Sequence, residues 1–174
     1  MSTHVPHRGL RKAVMDTGPL VDALILEMAR RSPESRRKPI LENSKLSPYL
    51  AQSINRQDAF KRLFLAIRTI LTTPHVIAEV QGHVKGPFQR ASWSFGMEML
   101  NTGAVDERSV PRLSEMHQIV ELRASVCEIG PTDTCLIELA RQEGCTLLTN
   151  DRRTLARRAW ELGVDCRLVS DLVS

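Results

Sequence analysis

The chain has 174 residues, of which 42% are hydrophobic and 25% charged, and its formal net charge is +4 at pH 7. This length suits one domain with a sizeable core, and the composition is ordinary for a globular protein. Aromatic residues make up only 4% of the chain, which argues against an RNA-binding surface that works by base stacking. The small positive charge fits a polyanionic partner without requiring one.

Cysteine spacing and apolar runs narrow the class of protein further. No two of the cysteines form a C-x-x-C pair and no histidines cluster beside them, which argues against a zinc site. Cys135 and Cys145 lie in apolar stretches, so we expect buried thiols in a reducing compartment. No apolar run approaches the roughly 20 residues that span a membrane, and no signal peptide follows the polar N-terminus. We therefore expect a cytoplasmic protein.

The first predicted elements are a strand and a helix. Residues 1–11 are expected to form a flexible basic tail, and Lys12 to Asp16 is a short apolar run that predicts a strand ending in an acid. Gly18 and Pro19 then turn the chain. Apolar residues recur at helical spacing from Leu20 to Arg30, and Pro19 suits the first position of that helix.

A polar region rich in proline follows the first helix. Pro33, Pro39 and Pro48 interrupt it, and the residues between them are mostly charged or small. We therefore expect residues 31–57 to be an irregular, solvated segment with one short helix near Tyr49 to Ser53.

The middle of the chain is predicted to contain a second strand and several helices. The strand is Thr69 to Thr72, and the helix Pro74 to Val84 follows it, with Thr73 placed to cap its first turn. Apolar periodicity predicts further helices over Asp58 to Arg68, Phe88 to Leu100 and Val110 to Arg123.

The last third alternates regularly between helix and strand. The predicted elements are a helix Thr132 to Glu143, a strand Cys145 to Thr149, a helix Arg152 to Leu162 and a strand Val164 to Val169. Gly144 and Gly163 are placed to end the two helices. The alternation predicts a single α/β domain over residues 12–174, with a mostly parallel sheet flanked by helices.

Acidic residues fall at the ends of predicted strands. Asp16 ends the first strand, and Asp151 follows the strand Cys145 to Thr149. Because ligands of open α/β sheets bind beyond the carboxyl ends of the strands, these carboxylates are expected to meet in one cleft. Asp133, at a helix start after a Gly-Pro break, and Glu79, on the second turn of its helix, are candidates for the same cleft.

Converging carboxylates suit phosphodiester cleavage, which places negative charge on the attacking and leaving oxygens. Mg²⁺ or Mn²⁺ bound to carboxylate oxygens stabilises that charge and helps generate hydroxide. Each acid also has an ordinary structural interpretation. Asp151 is placed to cap the following helix, Asp133 to favour a helix dipole, and Glu79 to lie on a solvated helix face.

Three sequence segments together resemble the PIN-domain family. VMDTGPLV contains Asp16, TTPHVIAEV contains Glu79, and PTDTCLIELARQEGCTLLTND contains Asp133 and Asp151. The resemblance covers roughly Lys12 to Val169, and the segment from Asp133 to Asp151 is its most specific part. Residues 31–57 are longer than in compact toxin-type members of the family.

The resemblance implies an endoribonuclease with a Mg²⁺ or Mn²⁺ site and a parallel sheet flanked by helices. The metal ligands and catalytic residues would be Asp16, Glu79, Asp133 and Asp151, with Thr17 and Thr149 as supporting hydroxyls. Many similar bacterial proteins are toxins restrained by an antitoxin protein, and many form homodimers, so RNA, an antitoxin and a second copy of the chain are the implied partners.

Basic residues after Asp151 are candidates for contacts with RNA. The helix carries Arg152, Arg153 and Arg157, and the last two lie four residues apart on one face. These side chains are either contacts to the RNA backbone beside the site or part of a solvated helix face.

Three other functions are compatible with parts of the sequence. Asp16-Thr17-Gly18 matches the signature of aspartic proteases, but that chemistry needs a second copy and an all-β scaffold, whereas helices dominate here. An RNA-processing nuclease without an antitoxin keeps the same site, and the sequence does not separate it from a toxin. A non-catalytic module that binds RNA or protein is disfavoured because all four acids are present.

Overall fold

One parallel sheet forms the centre of the computed structural model, which describes residues 10–83, 89–109 and 120–174. Within these residues the sheet has the order β3-β2-β1-β4-β5, and every strand pairing is parallel. The strands are β1 (Lys12–Met15), β2 (Thr69–Thr72), β3 (Val105–Glu107), β4 (Thr146–Thr149) and β5 (Cys166–Leu168). The α/β class with a parallel sheet is therefore confirmed.

Helices cover the sheet and connect its strands. In chain order they are α1 (Thr17–Arg31), α2 (Glu34–Asn43), α3 (Pro48–Ala51), α4 (Ile54–Ala66), α5 (Pro74–His83), α6 (Gln89–Asn101), α7 (Val120–Ile129), α8 (Pro131–Glu143), α9 (Arg157–Glu161) and α10 (Val169–Leu172). The long helix α1 packs against α2, α5 and α6, whereas α8 packs against β1 and β4. Among the helices of the described residues, none is long and apolar enough to cross a membrane.

The central strand β1 determines where a site forms. Its residue Val14 pairs with Leu71 of β2 on one side and with Leu147 of β4 on the other, and all three side chains are fully buried. The chain runs from β1 to β2 and β3 in one direction and then returns to β4 on the opposite side. Such a reversal of strand order opens a crevice at the carboxyl ends of the two strands beside it, which here are β1 and β4.

The first helix begins earlier than its sequence predicts. We expected it to start near Leu20, but α1 begins at Thr17, where the Asp16 side chain accepts a hydrogen bond from the Thr17 backbone N–H. Pro19 is accommodated in the first turn because backbone N–H groups there have no partner inside the helix.

The prediction of an irregular segment over residues 31–57 is wrong. Helices α2 and α3 and the start of α4 occupy most of it. Pro33 and Pro48 mark helix starts, as the N-cap of α2 and the first residue of α3. Three apolar side chains carried by this polar segment, Ile40, Leu46 and Leu50, belong to the core. Burial of so few residues between charged ones leaves a weak periodic signal, which explains the error.

Several smaller differences arise at element ends. Helix α4 begins at Ile54 rather than Asp58, because the Ser53 hydroxyl caps it by accepting from the Arg56 N–H. Strand β3, a short edge strand, and helix α10 were not expected. The helix after Asp151 starts as a π-helical turn, Arg152–Ala156, before continuing as α9.

Some expectations fall on residues that the structure does not describe. They are residues 1–9 of the expected tail and residues 110–119 of the helix predicted over Val110 to Arg123. Of the two cysteines expected in the core, Cys135 is buried and Cys145 is half-buried.

We expect Ile40→Ala to show that α2 is an integral part of the fold. The Ile40 side chain is 0% exposed, so its removal should lower the free energy of unfolding by about 2–4 kcal/mol. Urea denaturation measures this change. The exposed neighbour Lys38, changed to alanine, is the control and should shift stability by less than about 0.5 kcal/mol. Equal stability of the two variants would return residues 31–57 to a solvated linker.

Candidate active site

Asp16 lies at the centre of the crevice between β1 and β4. It follows the last residue of β1, and its backbone N–H donates to the Leu148 carbonyl of β4 at 3.0 Å. Its two carboxylate oxygens are held separately. Oδ1 accepts from the Thr17 backbone N–H at 2.6 Å, and Oδ2 accepts from the Thr149 hydroxyl at 2.7 Å. The side chain is therefore fixed by both neighbouring elements.

Two threonines, Thr17 and Thr149, form hydrogen bonds with Asp16 and with other candidate acids. Thr149, which is 0% exposed at the end of β4, donates to Asp16 and accepts from the Asp151 backbone N–H at 3.0 Å. The Thr17 hydroxyl donates to Glu79 Oε2 at 2.8 Å. The Thr149 hydroxyl thus bridges two acidic residues, whereas Thr17 contacts Asp16 through its backbone N–H and Glu79 through its hydroxyl.

Asp151 caps the helix that follows it and also faces the acidic cluster. Its Oδ1 accepts from the backbone N–H groups of Arg153 and Thr154, each at 3.0 Å, and the Thr154 hydroxyl donates to Oδ2. Partial burial raises the pKa of Asp151, but these hydrogen bonds outweigh it and leave the pKa below its ordinary value. The structural and functional interpretations of Asp151 are therefore compatible.

Asp133 and Glu79 complete the cluster from two different helices. Asp133 lies in the first turn of α8, and Glu79 lies on an exposed part of α5. Burial, followed by the charges of Asp16, Asp151 and Glu79, raises the pKa of Asp133 to about 7. The same causes act on Asp16, whose pKa is raised by burial and by the charges of Glu79 and Asp151, against the hydrogen bonds from its two threonines. The four candidate acids are thus electrostatically coupled.

The donor chemistry of this cluster suits a hard divalent cation. Carboxylate oxygens are the ligands that Mg²⁺ and Mn²⁺ prefer, and mutual repulsion among partly buried carboxylates is relieved by a bound cation. However, among the described residues no three acidic, histidine or cysteine side chains converge closely enough to hold a metal ion. Within the described residues, the acids lie at one crevice without forming a closed coordination shell.

The arginines after Asp151 are less free than the sequence suggested. Arg152 donates to both carboxylate oxygens of Asp171, at 2.8 and 3.0 Å, and Arg157 forms an ion pair with Glu161 at 3.4 Å. Both pairs are exposed to solvent, so each is weak and open to exchange. Arg153 is exposed, and its backbone N–H donates to Asp151.

Thr154 is a residue of the site that the sequence did not suggest. Its hydroxyl and its backbone N–H both bind the Asp151 carboxylate. The signal was available in principle, because a capping aspartate satisfies N–H groups two and three residues further on. The hydroxyl contact adds a third hydrogen bond that only the folded geometry reveals.

Comparison with known proteins identifies the family of the chain. The family model described as the PIN domain matches residues 46–161, which is more than half of the 174-residue chain. The chain therefore belongs to the PIN-domain family. A comparison with curated proteins finds no match. The matched range contains Glu79, Asp133 and Asp151 but not Asp16, whose place in the site rests on the contacts described above.

We expect Asp133→Asn to stabilise the metal-free protein at pH 8 but not at pH 4. The folded-state pKa of Asp133 is about 7, above the ordinary value of 3.8, so the folded state binds the proton more tightly. Stability is therefore lost as pH rises from the unfolded-state pKa to the folded-state pKa. Asparagine removes this loss, worth roughly 1–2 kcal/mol at pH 8 once solvent screening is allowed for.

Urea denaturation in a chelating buffer at the two pH values measures the effect. Glu34→Gln is the matched control, because Glu34 occupies the first turn of α2 and is exposed. If Asp133→Asn and the control respond alike to pH, the pKa of Asp133 is not raised in the folded state.

Proposed function

We propose that this member of the PIN-domain family is an endoribonuclease that depends on Mg²⁺ or Mn²⁺. The PIN domain is a nuclease-type fold whose members are generally metal-dependent. The observation that carries the proposal is the hydrogen-bonded placement of Asp16 between Thr17 and Thr149, in electrostatic contact with Glu79 and Asp151. It places a fixed carboxylate where an α/β sheet binds ligands.

The chemistry of phosphodiester hydrolysis explains the need for such a cluster. A divalent cation held by Asp16, Glu79, Asp133 and Asp151 would supply charge neutralisation and an activated water. The protein's own part is to hold these carboxylates at one edge of a rigid sheet. Thr17 and Thr149 would keep Asp16 and Glu79 oriented, because each hydroxyl donates to a carboxylate oxygen and leaves other lone pairs of that carboxylate available.

The substrate and cellular role follow from the family resemblance of the motifs. We propose RNA as the substrate, with Arg153 as a phosphate contact beside Asp151. Arg152 and Arg157 would exchange their exposed acidic partners for phosphate groups of the RNA. We further propose that the protein is a cytoplasmic toxin of a toxin–antitoxin pair. We also propose that it forms a homodimer. An RNA-processing nuclease would use the same site.

One observation favours a second candidate function. Because no three ligating side chains converge in the described residues, a PIN-like module that binds RNA without cutting it would need no rearrangement of the acids. The two candidates differ in what a metal ion does, since only the enzyme gains activity from it.

We expect the purified protein to cleave RNA in Mg²⁺ or Mn²⁺ and to stop when a chelator is added. Asp16→Asn and Asp151→Asn should each lower kcat/KM at least about 100-fold, because each removes a negative carboxylate that would help to hold the divalent cation, and the cation stabilises the negative charge that develops on the phosphate. Cleavage of a labelled RNA in gels measures the rates, and circular dichroism checks the fold.

Asp58→Asn is the matched control for this experiment. Asp58 forms an exposed ion pair with Lys61 on α4, at 3.2 Å, so its removal should leave cleavage unchanged. RNA binding without cleavage in any divalent metal would favour the non-catalytic module. Parental cleavage rates in both site variants would show that the acids are misassigned.

We expect the double variant Arg153→Ala with Arg157→Ala to bind RNA more weakly and with a shallower salt dependence. Each lost phosphate contact should reduce the slope of log Kd against log salt concentration by about 0.7–0.9. Fluorescence anisotropy in chelating buffer measures Kd without cleavage. The charge-matched control changes Arg62 and Arg90, which are exposed on α4 and α6. Equal slopes in the two double variants would assign Arg153 and Arg157 to a solvated surface.

A further inference from the structure

Asn150 lies between two residues of the site, but its side chain points into a different network. The residue separates Thr149 from Asp151 at the point where the chain leaves β4. Its Oδ1 accepts from the Ser170 backbone N–H at 3.2 Å, and its Nδ2 donates to the Tyr49 hydroxyl at 3.1 Å. Because Ser170 offers a donor and not an acceptor on its backbone N–H, the orientation of the amide is determined.

The network continues from Tyr49 into the core of the protein. The Tyr49 hydroxyl donates to Asp22 Oδ2 at 3.4 Å, and Asp22 Oδ1 accepts from the Ser47 backbone N–H at 2.8 Å. Asp22 lies in α1 and is 1% exposed. A continuous path of hydrogen bonds therefore runs from α1 through α3 to the turn after β4 and on to α10.

The protonated Tyr49 hydroxyl and the Asp22 carboxylate determine which group donates and which accepts in this network. Burial raises the pKa of Tyr49, and the charge of Asp22 raises it further, so the hydroxyl stays protonated and donates to the carboxylate. Its single proton is committed to Asp22, which leaves its oxygen to accept from Asn150. A partly buried polar network of this kind rigidifies the elements it joins, because breaking one bond leaves desolvated groups without partners.

We propose that Tyr49 and Asn150 are positioning residues that hold the turn after β4 so that Asp151 faces Asp16. The inference rests on the proposed function and deepens it. Asp151 is not part of a strand, so sheet pairing does not fix it, and the anchor from its preceding residue adds a restraint to the Thr149 contact and the helix cap. This proposal also gives α3 a role, since the segment that was expected to be irregular contains Tyr49, which binds Asn150.

The first test compares kinetic constants. Tyr49→Phe and Asn150→Ala should each lower kcat about tenfold with KM for RNA within about twofold, because misplacement of a catalytic group by a fraction of an ångström costs rate rather than binding. The double variant should be no slower than the slower single variant, because both changes break the same path. Ile40→Val, a core truncation in α2, is the control for lost stability and should keep the parental kcat.

The second test needs no activity and uses amide hydrogen exchange of the metal-free protein. Asn150→Ala and Tyr49→Phe should speed exchange about tenfold at the Ser170 N–H, which loses its acceptor or that acceptor's anchor. They should also speed exchange at the Thr154 N–H, which binds Asp151 Oδ1. The control Ile40→Val should affect neither amide beyond its effect on global stability.

The outcomes separate the two proposals. A parental protein without nuclease activity refutes the proposed function, and faster exchange at Thr154 would then still support the positioning role. Unchanged protection of Thr154 in both variants overturns the positioning role whether or not the protein cuts RNA. An active enzyme whose Tyr49→Phe variant keeps the parental kcat also overturns it.

Discussion

The hydrogen bond from the Thr149 hydroxyl to Asp16 joins the carboxyl ends of β1 and β4, and the geometry of the site depends on it. Thr149 is completely buried, so its hydroxyl must find partners inside the protein. It finds an acceptor in Asp16 and a donor in the Asp151 backbone. One residue thereby fixes the position of one acid and the chain direction at a second. Strand pairing alone would align the backbones without orienting either carboxylate.

Burial of the acids has a cost in stability that the rest of the fold must offset. The pKa values of Asp16 and Asp133 are raised, chiefly by burial, so ionising these groups costs the folded protein stability. The buried residues of α1, residues 13–15 of β1 and the buried strand β4 form the apolar core beside these acids.

The sequence predicted the positions of those candidate acids that depend on local pattern. Asp16 and Asp151 follow short apolar runs, so their place at strand ends could be inferred from periodicity, whereas Glu79 and Asp133 needed the family pattern. Residues 31–57 were mispredicted because their core contacts involve few side chains among many charged ones. The contact between Tyr49 and Asn150 joins residues 101 positions apart, and no local pattern encodes such a pairing. Only the folded position of α3 brings them together.

The family model matches only a part of the chain that follows the first strand and the first helix. The matched range begins at residue 46 and therefore omits β1 and α1. Yet β1 pairs with both β2 and β4, so without it the two strands that flank the crevice would lose their common neighbour. Asp16 and Asp22 also lie in the omitted part, the first holding the acidic cluster together and the second anchoring Tyr49. The matched range supplies three of the acids, but the residues before it supply the framework that brings them to one place.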